Sequence, residues 1–217
     1  MHLAALSVSL FSWIFSPSLP ETCPPLETAV SVYSSSHGHT IDHSKTRSEL
    51  GALMGGKVLT GFHAQGLTDV TYSTAPRYTI VSHKLSDGRW CAALQSVSIE
   101  FGLGEPARVH IAKEIPEGSC RYDTVLVHEM QHVSISQRAI ELAVDDLRET
   151  LRSSLGSVSP AYGISEEAAS DVLKASLQKL VTRVTRKHID KAEFDNAAID
   201  TRLSYETLTN QCPGSPH

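Results

Sequence analysis

The sequence predicts an α+β fold, a small mainly antiparallel sheet followed by a long antiparallel helix hairpin, on three observations. Residues 57–116 are rich in β-branched and aromatic side chains punctuated by Asp-Gly and Pro. From residue 120 onward apolar residues recur at helical spacing, first to Leu155 and then from Glu166 to Leu208. One short loop, SVSPAYG, separates the two helical stretches, which favours antiparallel neighbours.

In chain order, residues 28–33 (TAVSVY) read as a short strand, and a polar loop holding His37, His39 and His43 follows. A short helix is expected over 45–54, with Ser44 as its N-cap. Strands are expected at 70–72, 77–83, 90–101 and 108–111, and Asp87-Gly88 is a hairpin signal between two of them. Asp123 is the expected N-cap of the first long helix, and Gly156 is expected to end it. Its stripe includes Val133, Ile140, Val144, Leu147 and Leu151; that of the second includes Leu173, Leu177, Leu180, Val184 and Ile199.

The 217 residues suffice for one domain, expected over 19–217, and the 41% apolar and 20% charged content is that of a globular chain. A formal net charge of -5 argues against nucleic acid or an anionic membrane face as partner. The apolar run at 3–15 is too short for a stable anchor and reads as an export signal spanning residues 1–18, with no stable membrane span once it is removed. Four cysteines without C-x-x-C spacing read as two bridges, expected to join Cys23 to Cys212 and Cys91 to Cys120, although three connectivities are open. Disulfides need an oxidising compartment, so the expected location is secreted or periplasmic. Oligomeric state is not encoded in these features.

Chemistry concentrates in the segment VLVHEMQHV at 125–133. His128 and His132, four apart, share one face of a helix and can bind a single metal ion. Zn²⁺ suits imidazole and keeps a position open for water when the protein supplies three ligands. Glu129, beside the first histidine, is the candidate base that takes a proton from that water. The neighbours are uncharged, so no other charge competes with Glu129.

H-E-x-x-H is the motif of the zincin metallopeptidases. The layout also resembles a family of predicted secreted bacterial zinc-dependent proteases, with a β-rich lead-in, Cys120-x-Tyr122, VLVHEMQHV, a helix pair and the tail IDTRLSYETLTNQC. The resemblance implies His128 and His132 as ligands and Glu129 as base but does not identify a substrate; a peptide or protein substrate is the expectation of the peptidase reading. By the same analogy residues 108–111 would be an edge strand that pairs with an extended peptide; a core strand is the equal alternative.

The third ligand is open. No Gly-and-His pair follows the motif, which excludes the metzincin pattern, and Glu167 in EAASD resembles the gluzincin ligand. On straight helices, however, Glu167 lies roughly 30 Å from His132. In a hairpin turning between Leu155 and Glu166, Met130 stands level with Lys191, so His188 is preferred over Asp195 and Glu193. Glu206 lies about 20 Å beyond unless the helix breaks near Asn196. A second metal on His37, His39 and His43 is a minor expectation, and Tyr122 and Tyr205 are candidate oxyanion donors. The expectation is therefore a zinc-dependent peptidase; the alternative is a non-catalytic zinc-binding envelope or interaction protein.

Overall fold

The computed structural model describes residues 19–35, 37–55 and 62–212; the expected export signal at 1–18 lies outside the described residues. Within them the fold is mixed α/β, with four helices and two sheets in which strands pair both ways.

The first sheet is built on β5 (Trp90–Leu103), which lies between β1 (Ala29–Ser35) and β4 (Tyr72–Lys84), while β7 (Ala161–Gly163) also pairs with it. β5 can be central because both its faces are apolar, with Cys91, Ala92, Ala93 and Leu94 buried in succession. Pro76 lacks an N–H and sits in β4, on the sheet edge, where no ladder bond is lost. The second sheet has the order β2 (His39–Asp42), β6 (Ala107–Ile111), β3 (Gly66–Asp69).

The expected single, mainly antiparallel sheet is thus corrected in part: among the described residues there are two sheets, and three of the five strand pairings are antiparallel. β1 pairs with β5, and β2 with β6, in parallel. Each pair is separated by long crossovers that the strand signals did not order. His39 opens β2 rather than lying in a loop, and β6 is the middle strand of its sheet, not an edge.

Helix α1 (Arg47–Leu53) is capped by Thr46, not Ser44, in a reciprocal box with Glu49. Helix α2 (Cys120–Val158) starts at the Ser119 cap, whose hydroxyl accepts from the Tyr122 N–H, so Asp123 is a first-turn acid rather than the cap. It continues through Gly156, where the fold requires no turn. Helix α3 (Glu166–Ile199) is capped by Ser165, and Glu166 and Glu167 lie in its first turn. Helix α4 (Arg202–Asn210) follows after a break.

One core joins the first sheet to α2 and α3 through Leu94, Ile99, Phe101, Leu147, Leu151, Leu173 and Leu177. A smaller one joins Leu50 of α1, Ile111 of β6, Ile115 and Val125 of α2. Val125 belongs to the smaller core and Val133 to the larger, so the turn of α2 carrying residues 128–132 lies between two packed regions that fix its rotation.

The disulfides are Cys23–Cys91 and Cys120–Cys212, a correction of the expected pairing. α4 brings the end of the described chain back to the start of α2, which places Cys212 beside Cys120 and leaves Cys23 for Cys91 on β5. Two disulfides fit an oxidising compartment. Among the described residues no helix is long and apolar enough to cross a membrane.

Candidate metal centre

His128 and His132 sit one turn apart on α2, both buried, with their rings edge to face and centroids 5.0 Å apart. Their third companion comes from the end of α3. At Asp200 the backbone leaves the helix (φ −92°, ψ 53°), and Thr201 opens α4 by exchanging capping hydrogen bonds with Ser204. Asp200 Oδ1 thereby stands 3.0 Å from His128 Nε2 and 3.3 Å from His132 Nε2. One ligand atom from each of the three residues lies within 4.8 Å of the other two.

The outer contacts orient these groups. His132 Nδ1–H donates to Asn196 Oδ1 at 2.9 Å, which in the neutral ring leaves Nε2 as the lone-pair atom facing Asp200. The Tyr205 hydroxyl donates to Asp200 Oδ1 at 3.3 Å, and its ring is 6.0 Å from that of His128.

Glu129 lies against β3. The Thr68 hydroxyl lies 2.8 Å from Glu129 Oε2 and 3.0 Å from the Glu129 carbonyl oxygen. Gly66, two residues earlier on the same face of β3, allows the approach: a Cβ there would lie 2.4 Å from Glu129 Oε1. Glu129, His132, Asn196, Asp200 and Tyr205 line, with Gly66 and Thr68, a cleft of about 150 Å³.

The electrostatics follow from burial and from the short distances. Burial pushes the Glu129 carboxyl up, against the pull of His132, the Thr68 hydroxyl and His128. Burial also opposes ionisation of Asp200, but the hydrogen bonds and charge of His128 and His132 hold its carboxyl well below the usual range. His132 is disfavoured as a cation by burial, and its bonds to Asp200 and Asn196 outweigh that and raise it. Burial, then the charges of Asp200 and Glu129, pushes the Tyr205 hydroxyl up, so it stays a neutral donor. Two imidazoles and a carboxylate form a donor set that can hold a transition-metal ion.

Of the expected site residues, the fold brings His128, Glu129 and His132 together and leaves His188 apart. His188 Nε2 is instead 2.8 Å from Asp146 Oδ2, which also accepts from Lys187. Because His132 meets Asn196 and His128 meets Asp200, Met130 stands level with about residue 198. That is seven positions beyond the expected Lys191, or about 10 Å along the helix. Asp195 pairs with Lys191, and Glu193, Glu206 and Glu167 are exposed.

His37, His39 and His43 form no donor group; His43 Nε2 instead faces the carbonyls of Ala112 and Ile115 at 3.1 and 2.8 Å. Tyr122 stacks edge-on against His43, away from the centre, whereas Tyr205 is at it. The expectations missed Asp200, Asn196, Thr68 and Gly66. Only Asp200-Thr201 carried a signal, since a Thr interrupting a helical stripe reads as an N-cap. No known family model, curated protein or solved structure matches the chain.

Proposed function

We propose that the protein is a zinc-dependent hydrolase of the zincin type, acting on peptide bonds, with its H-E-x-x-H motif on the first of two antiparallel long helices. The observation that carries this reading is the convergence of His128, His132 and Asp200 within 4.8 Å beside the buried carboxylate of Glu129. His₂–carboxylate sets with a free fourth position are the usual arrangement of catalytic zinc, and Asn196 supplies the outer hydrogen bond that such a histidine needs.

Zinc bound there supplies a water of lowered pKa and polarises the substrate carbonyl. The remaining steps belong to the chain's own residues. Glu129, held by Thr68, takes the proton of the attacking water and hands it to the leaving amine. Its position off the donor group favours that role over ligation. Asp200 would join the two neutral imidazoles as the anionic ligand, and Tyr205 offers a neutral hydroxyl to the carbonyl oxygen. The two disulfides favour action outside the cytoplasm.

The test uses metal content and hydrolysis together. Purified wild type should hold one zinc per chain, and His128→Ala and Asp200→Ala should lose it. Glu129→Gln should keep zinc and cleave a broad peptide library at least a hundredfold more slowly, the usual scale for losing a general base. Wild-type zinc in His128→Ala removes the metal assignment, and wild-type cleavage by Glu129→Gln removes the base.

A further inference from the structure

Helix α4 buries none of its residues, yet it is firmly held. Its far end is joined to the start of α2 by Cys120–Cys212, and Arg121 Nη1 donates to the Leu208 carbonyl at 2.8 Å. Its near end is fixed by the Asp200–Thr201 break at the metal centre. Two helices tied at both ends but not packed along their length leave a space between them. That space is a cleft of about 560 Å³, within the size range of small-ligand and cofactor sites. His128 forms part of its wall, so the cleft adjoins the metal centre.

The cleft is nearly free of charge. Among the described residues Asp123 is its one carboxylate and no Lys or Arg lines it, in a chain of which 20% of residues are charged. The lining is aliphatic (Val127, Leu203) or made of hydroxyls and amides such as Thr124, Ser204 and Gln131. Val127 and Leu203 are 63% and 72% exposed, apolar surface that a ligand would cover.

We propose that this cleft binds the substrate as a peptide segment free of acidic residues, aliphatic side chains against Val127 and Leu203, with main-chain groups on the hydroxyls and amides. The assignment rests on the peptidase reading and deepens it to a substrate class. A glutamate carried into the cleft loses hydration, finds no cationic partner and meets Asp123, whereas a lysine could pair with Asp123. Neutral side chains carry no such penalty, so the selection is against negative charge.

Binding is measured apart from hydrolysis, on zinc-loaded Glu129→Gln. The probes are two end-capped fluorescent hexapeptides, one of Ser, Val and Gln and one with Glu at alternate positions. The neutral peptide should bind at least tenfold more tightly. Val127→Arg and Leu203→Arg, both at exposed sites that tolerate a long side chain, should each weaken it tenfold or more at unchanged zinc content. Equal binding of the two peptides, or neutral binding unaltered by both substitutions, overturns the assignment. If the neutral preference holds while wild type cleaves neither peptide nor library, the cleft stands and the peptidase reading fails.

Discussion

Thr68→Val isolates the contact between β3 and the base. Thr68 and Val have nearly the same shape, so the change removes one hydroxyl donor, shared by Glu129 Oε2 at 2.8 Å and the Glu129 carbonyl oxygen at 3.0 Å. Glu129 is 5% exposed, so water cannot readily replace the lost donor. A hydrogen bond to a charged group is worth about 1.5–3 kcal/mol. At about 1.4 kcal/mol per factor of ten in rate, kcat should fall roughly ten- to a hundredfold. KM and zinc content should stay constant, because neither a ligand nor the α2–α4 cleft is touched. Thr68→Ser keeps the hydroxyl and should restore most of the rate. Gly66→Ala attacks the same carboxylate sterically, since its Cβ would lie 2.4 Å from Oε1, and should lower kcat to a similar degree. The assay is steady-state hydrolysis of a fluorogenic peptide with zinc measured on the same samples. An unchanged kcat in Thr68→Val, or a Thr68→Ser variant as slow as Thr68→Val, would refute the positioning role.

Two further outcomes follow from named contacts. Asn196→Ala removes the acceptor of the His132 Nδ1–H bond and should weaken zinc binding about 10- to 100-fold in a chelator competition; unchanged affinity means that Asn196 does not orient the ring. Asp146, held down to about 2 by Lys187 and His188, stabilises the fold above its unfolded pKa near 3.9 and loses that contribution as pH falls through 2. Asp146→Asn should therefore cost about 1 kcal/mol in urea unfolding at pH 7, a figure kept small by the solvent exposure of Lys187, and nothing near pH 2. A cost that persists in acid would show that the ion pair is not its source.

What was legible in the sequence was whatever depends on near neighbours along the chain. The spacing of His128 and His132, the stripes through Leu147 and Leu177, and the Asp87-Gly88 turn all express local geometry and formed as expected, although α2 runs past Gly156 and the second helical stretch breaks at Asp200. What depends on distant partners was not legible. The parallel pairings of β1 with β5 and β2 with β6, and the Cys23–Cys91 bridge, are set by how segments far apart in sequence pack, and no local preference encodes that order. Gly66 and Thr68 have ordinary strand identities, and their closeness to Glu129 exists only once β3 lies against α2.

The third ligand shows how one local error is carried through a fold. Placing the turn between Leu155 and Glu166 set Met130 level with Lys191, about two turns short of residue 198, and led to His188, while reading 166–208 as one helical stretch left out the change of direction at Asp200. The chain instead stops α3 at Ile199, and the change of direction at Asp200 does three things at once. It presents the carboxylate to both imidazoles, starts α4 with Tyr205 on the side of the centre, and opens the space between α4 and α2. Ligand, neutral donor and proposed substrate cleft thus share one structural cause, the non-helical backbone at Asp200 capped by Thr201.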